Sequence, residues 1–309
     1  MGIQLLEAPV ARRDDPRALR YIVDHLPPGR TVERKVGVVN RSTERRHIDL
    51  YAAGAEVAEG RFQFAEGRTA NELSEWVTLD RDSVTLDPQE QAQFTATLQV
   101  PPDASAGERY AVIWAATVPA PDSTASVNIV QRVGIRVYLD VGPGGEPPSD
   151  FAIGEVVPAR DEQGRPSVAV AVRNTGGRAL DMAGSVTLSD GPGGVRAGPF
   201  DVVQGTTLAA GETGTVRVLF PTALANGPWR ITVDLASGKV RRSASGAITF
   251  PEPGRTGRRA LVDAAWWLRG GTLATVVAAG VGVVLLVRRR RRGPAAQVAA
   301  SSTGSAVRK

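Results

Sequence analysis

Side chains able to do acid–base, nucleophilic or metal chemistry are sparse in this chain. Histidine occurs only at His25 and His47, and cysteine is absent from all 309 residues. A histidine-based catalytic pair needs a nucleophile and an orienting carboxylate. No Gly-x-Ser-x-Gly or Ser-x-x-Lys motif with its partners is legible here. Two histidines in separate strand-like stretches, with no thiolates, fall short of a zinc set. Asp80, Asp82 and Asp87 in LDRDSVTLD invite calcium, yet the Gly and Glu of a calcium loop are missing from their places. The GPGG pieces at 142–145 and 191–194 lack the strand-to-helix setting that cradles phosphate, and read as linker and hairpin loop. Asn40-Arg41-Ser42 matches a glycosylation sequon without further support. The expectation is no catalytic, cofactor or metal site, and no enzyme.

Aromatic residues are the remaining candidates for recognition. Tyr51, Phe62, Phe64, Trp76, Tyr110, Trp114 and Tyr138 fall in the first half of the chain. Stacking platforms for a carbohydrate or peptide are conceivable, but most are expected in core or edge packing, Trp114 in the core and Trp76 in either role.

The elements that must position these residues are strands. HIDLYAA, WVTLD, SVTL, FTATLQV and YAVIWAATV alternate apolar and polar residues between turns at Gly60, Gly67, Asp87-Pro88 and Pro101–Gly107. SVNIVQRVGIRVYLDV (126–141) closes the series as a long strand, expected to bend at Gly134. GPGGEPPSD (142–150) is pure linker. The pattern then restarts with FAIGEVV and runs to GAITF. Asn174 ends one strand as Asn40 does, and LAAGETGTVRVLF (208–220) echoes LDPQEQAQFTATL (86–98). The fold class expected is all-β: two tandem immunoglobulin-like β-sandwich domains, residues 1–141 and 151–250, followed by one C-terminal transmembrane helix.

That helix is residues 270–287, eighteen uncharged residues that reach roughly 27 Å at helical rise. Trp266 and Trp267 sit where indoles favour the headgroup level, and Arg269 can snorkel from the same place. Arg288, Arg289, Arg290, Arg291 and Arg292 oppose translocation of the C-terminal segment. Residues 251–269 read as a stalk and 288–309 as a cytoplasmic basic tail, with the bulk of the chain outside the cell. The opposite, tail-anchored topology would require five arginines to cross. MGIQLLEAPVARRDD is no export signal, so the expectation is a signal removed from this numbering or a start placed too late. The +5 net charge misleads: residues 266–309 hold eight basic groups and no acidic ones, which leaves −3 for residues 1–265. Nucleic acid loses its electrostatic argument. Only three of the 37 basic residues are lysine, a bias that suggests a GC-rich genome.

YIVDHLPPGRTVERKVGVVNRS (21–42), AGAEVAEGRFQF (53–64) and the stretch from WVTLDRDSVTLD to YAVIWA (76–115) together resemble the peptidoglycan-binding domain of the WxL-interacting protein family of Gram-positive bacteria. The second domain stands where that family has a second β domain, and the span with its basic tail matches the family layout. YAVIWA (110–115) departs from the Gly-Gly-Ile usual in the family's closing strand. The resemblance implies an actinobacterial-type member, anchored in the membrane, that attaches to peptidoglycan or another cell-wall polymer and to a surface protein partner. No ligand residues carry over. The other classes are a membrane-tethered signalling or scaffolding protein acting through its tail, and a surface enzyme.

Overall fold

The computed structural model describes residues 1–117 and 130–264, and strand dominates them throughout. The protein is all-β, with one four-residue α-helix, Glu72–Glu75, among the described residues.

The first lobe contains β1 (Gly2–Leu5), β2 (Ile22–Leu26), β3 (Thr31–Val39), β4 (Arg46–Ala58) and β5 (Arg61–Phe64). It continues with β6 (Val77–Leu79), β7 (Ser83–Leu86), β8 (Gln91–Gln99), β9 (Gly107–Thr117) and β10 (Arg132–Val141). One sheet has the order β1-β3-β8-β6, the other β2-β10-β9-β4-β5 with β7 also on β4. Among the described residues only β10 with β2 is parallel in this lobe. Val36, Val38, Phe94, Ala96 and Leu98 of the first sheet meet Ile48, Leu50, Ile113, Ile135 and Val137 of the second in one core.

Strand β9 is buried on both sides, which is why AVIWAA reads as unbroken apolar sequence. Ala111, Ile113 and Ala115 enter the core between the sheets, while Val112 and Trp114 pack on the opposite face with Ala53 and Tyr51. Trp114 is thus buried, but in a second layer outside the main core. The β9–β10 register runs unbroken from Ala116↔Arg132 to Gly107↔Val141, so Gly134 marks no break in the pairing. A glycine is needed there for another reason: a Cβ would lie 2.7 Å from the Trp114 indole and equally close to Val112.

The second lobe follows with β11 (Phe151–Arg160), β12 (Pro166–Asn174), β13 (Leu180–Asp181), β14 (Ala183–Ser189) and β15 (Ala197–Asp201). After these come β16 (Thr207–Leu208), β17 (Thr213–Leu219), β18 (Pro228–Ser237), β19 (Val240–Thr249) and β20 (Asp263–Ala264). Sheets β11-β12-β17 and β15-β14-β18-β19-β20 enclose Val170, Val172, Val216, Val218, Val186, Leu188, Ile231 and Val233, and β13 pairs with β16 alone.

The two lobes share a corner device. Asn40 donates from Nδ2 to the carbonyls of Glu44 (2.7 Å), Leu86 and Asp87 (both 3.1 Å), and its Oδ1 accepts from the Ser42 N–H at 3.0 Å. Asn174 donates to the carbonyls of Arg178 (2.7 Å), Leu208 (3.1 Å) and Ala209 (2.9 Å), and accepts from the Gly176 N–H at 2.9 Å. A glutamate closes each corner: Glu90 accepts from the Asp87 N–H (2.7 Å), and Glu212 from the Ala209 N–H (2.8 Å). Asn40 is 1% exposed, so the sequon serves the fold and offers no amide for modification.

Two segments expected as spacers are held against the second lobe. Within 142–150, the Pro148 carbonyl accepts from the Gly177 N–H at 2.8 Å and the Asp150 carbonyl from the Thr175 N–H at 3.0 Å. The stretch 251–264, expected as part of a stalk, runs back along β11. Val156 and Ala260 exchange both backbone hydrogen bonds (3.0 and 2.9 Å), and Gly257 donates to Pro158 at 2.7 Å. An otherwise open strand edge takes up the returning chain. No helix among the described residues is long and apolar enough to cross a membrane. The expected span at 270–287 lies outside the described residues, as do Trp266, Trp267, Arg269, Arg288, Arg289, Arg290, Arg291, Arg292 and the basic tail.

Candidate functional site at the junction of the lobes

The histidines and aspartates that sequence reasoning singled out remain apart, whereas Phe62, Tyr110 and Tyr138 of its aromatic set come together. His25, at the end of β2, bonds Asp140 through Nδ1 (2.6 Å) and the Gly144 carbonyl through Nε2 (3.1 Å). His47, on β4, bonds Thr85 Oγ1 at 3.0 Å. Asp80 lies beside Arg81, Asp82 beside Ser83, and Asp87 beside Arg45, each at the exposed surface. Trp76 is half-buried, with the Arg109 guanidinium 4.9 Å from its ring centre.

The concentration of charge is elsewhere. Arg178 follows the Asn174–Gly177 turn, which carries it into the first lobe, where it is fully buried. Its Nε donates to Glu108 Oε1 at 3.1 Å and its Nη1 to the Glu146 carboxylate, while Nη2 reaches the carbonyls of Asp24 (3.1 Å) and Tyr138 (3.4 Å). Glu108 opens β9, and its Oε2 accepts from the Ala179 N–H at 2.5 Å and the Tyr110 hydroxyl at 3.1 Å. Arg12 binds Glu146 from the other side and Asp15 at 3.2 Å.

Asp181, on β13, gathers the second set. It accepts from Arg17 Nε (2.6 Å), Arg136 Nη1 (3.0 Å), the Tyr138 hydroxyl and the Thr207 hydroxyl (both 2.8 Å). Arg17 lies 4.1 Å over the Tyr138 ring, and Phe62, Tyr21 and Tyr110 surround that ring with centroids 5.1–5.8 Å away. The tip of the β4–β5 hairpin docks as well. Its Gly60 N–H donates to Glu212 (2.9 Å), and its carbonyl accepts from the Thr207 N–H (2.9 Å). Four arginines (Arg12, Arg17, Arg136, Arg178) and four carboxylates (Asp15, Glu108, Glu146, Asp181) are thus interleaved.

This balance decides what the site can do. Burial, with Asp181 adding to it, holds the Tyr138 hydroxyl well above the usual tyrosine range, and burial with Glu108 does the same for Tyr110. Burial opposes the charge on Arg17, but Asp181 outweighs it and raises that pKa. The arginines stay charged and the tyrosines stay hydrogen-bond donors at neutral pH. Such a set positions and binds.

Sequence reasoning missed this network. Its signals were charges inside strand-like runs, Glu108 in GERYAVI and Arg136 in GIRVYLD, and Glu146 within the linker. Which arginine meets which carboxylate depends on partners up to 164 residues apart, as for Arg17 and Asp181.

No family model matches the sequence, and no curated protein matches it. Solved structures align along most of the chain. The Salmonella enterica SafA pilin in complex with the SafB chaperone aligns at 9% identity, covering 79% of this chain and 95% of that one, with a TM-score of 0.41. The CupB2 chaperone of Pseudomonas aeruginosa aligns at 12% identity, covering 73% and 97%, with a TM-score of 0.39. The periplasmic chaperone SfaE aligns at 14% identity, covering 78% and 98%, with a TM-score of 0.34.

These comparisons correct the expectations drawn from the resemblance. Membership of the WxL-interacting family does not stand, nor does the Gram-positive, actinobacterial assignment. Peptidoglycan or another wall polymer as partner, and the membrane-anchored cell-surface function and placement, rested on that resemblance and fall with it; the aligned structures are of chaperones, SfaE a periplasmic one. The patterns that carried the resemblance are turn chemistry: Pro-Pro-Gly, Asp-Pro and Pro-Pro-Asp recur wherever antiparallel strands need tight connections. The three aligned structures are all of chaperones or of a chaperone complex.

Proposed function

We propose that the chain is a non-catalytic polypeptide-binding protein whose two immunoglobulin-like domains, residues 1–141 and 151–250 joined by 142–150, act as one rigid body. The observation that carries this reading is Arg178, fully buried and paired with Glu108 and Glu146. A buried guanidinium between two carboxylates has strict geometry and is costly to break, so it fixes one arrangement of the lobes. A fixed arrangement makes the groove along the junction a preformed surface, which reduces the ordering cost of binding. That groove is open, with hollows of about 510 and 700 Å³ that share Arg136 and Gln204–Thr206. Its shape suits an extended segment better than an enclosed small molecule. The SafB chaperone has been solved in complex with a pilin; the reading for this chain rests on its own junction.

The test is selection of a random-peptide library on the full chain carrying a photo-crosslinker at Gln204. Enriched peptides that cross-link there, and are lost in Arg178→Ala, are the expected result. Absence of enrichment, or enriched peptides that cross-link only when the probe sits on the β6–β7 turn, overturns the reading.

A further inference from the structure

The groove is basic on a lobe pair that is otherwise acidic. Arg17, Arg20, Arg136 and Arg241 line its 510 Å³ hollow, against the single carboxylate of Asp181. Arg61 and Arg217 extend the series into the neighbouring hollow, where Glu59 and Glu212 are the only carboxylates among the lining residues, so arginines outnumber acids along the groove. Arg20, Arg61, Arg217 and Arg241 are exposed and make no ion pair among the described residues. Elsewhere on the lobes about half of the arginines are paired, as Arg34 is with Asp24 and Arg109 with Glu72; what sets the groove apart is that four unpaired ones converge. Clustering unpaired cations costs repulsion that a protein of −3 net charge over residues 1–265 could have neutralised cheaply.

A second observation points the same way. Arg17 is 8% exposed, and its Nη2 is buried without any hydrogen-bond acceptor, although its Nε is held by Asp181. Buried guanidinium donors are normally satisfied, and an unsatisfied one is a standing cost.

Resting on the polypeptide-binding reading, we infer that the groove takes an acidic polypeptide segment, whose carboxylates pair with the exposed Arg20 and Arg241 beside the buried, incompletely satisfied Arg17. Arginine forks match carboxylates in a two-bond geometry, and the low-dielectric walls of a groove strengthen the field of cations gathered in it. Nucleic acid is disfavoured because the acidic remainder of the lobes repels an extended polyphosphate.

The experiment is fluorescence anisotropy with the full chain and three labelled decapeptides: all-glutamate, all-lysine, and alternating glycine–serine. The glutamate peptide is expected to bind saturably, the other two not. Its Kd should rise about tenfold in the Arg20→Ala/Arg241→Ala double variant, where two partly shielded pairs are lost. It should stay unchanged in Arg81→Ala, an exposed arginine on the β6–β7 turn. No saturable binding, an equal loss in Arg81→Ala, or tighter binding of inorganic polyphosphate than of the glutamate peptide each overturns the inference. Library-selected peptides that cross-link at Gln204 yet contain no excess of Asp or Glu, and ignore the double variant, overturn it while leaving the polypeptide-binding reading intact.

Discussion

Asn40 and Asn174 are single side chains that each organise a sheet corner. The amide nitrogen of each meets three carbonyls, and the amide oxygen one backbone N–H. Replacing either by alanine strands several buried carbonyls, so Asn40→Ala and Asn174→Ala are each expected to cost about 2–4 kcal/mol in urea unfolding. Asn→Asp at either site should be as damaging, because a carboxylate cannot donate to those carbonyls. The sequence revealed that both asparagines end strands. It did not reveal the distant partners, two for each asparagine, which lie 34 to 47 residues onward and become neighbours only when the sheets close.

Strands were legible wherever one face met water, since alternation then survives in the sequence; β8 and β17 are such cases. Strand β9 is harder to read because both faces are covered, and β13 and β16 are too short to show a period. The segment 251–264 misled through its Pro, Gly and Arg content, although its backbone pairs with β11. Gly134 stands where the sequence suggests a bend, whereas the structure assigns it to the approach of an indole. Gly134→Ala should therefore cost about 1–3 kcal/mol in thermal or urea unfolding, since the indole and Val112 must both move. Gly145→Ala, with no atom near its added methyl group, should change stability by less than about 0.5 kcal/mol. Equal effects at the two glycines would show that backbone freedom, and not the indole, selects Gly134.

At the scale of the whole molecule, stability depends on the charged junction. Arg178→Ala leaves Glu108 and Glu146 without their shared cation and should cost about 3–5 kcal/mol, visible in calorimetry as earlier unfolding with separated lobe transitions. Alkali should act on the same place. Tyr110 and Tyr138 keep their protons in the folded state well beyond the ordinary tyrosine value, through burial and then their carboxylate neighbours. The unfolded chain releases those protons above about pH 10, so the stability they contribute is complete below that pH and drains as pH rises. The loss amounts to about 1.4 kcal/mol per pH unit for each tyrosine. Urea titrations from neutral pH into alkali should show this slope, halved by Tyr110→Phe. The junction also carries a consequence for synthesis. Glu108 and Tyr138 lie on strands of the first lobe, while Arg178 and Asp181 lie beyond residue 150. A nascent chain that has closed its first sandwich therefore displays a charged, aromatic-rimmed socket, with Glu108 and Arg17 both lacking their partners, to the translating cell. The socket stays vacant until the ribosome has released some thirty more residues than the exit tunnel holds, and during that interval it is where a holding factor, or a wrong neighbour, would engage.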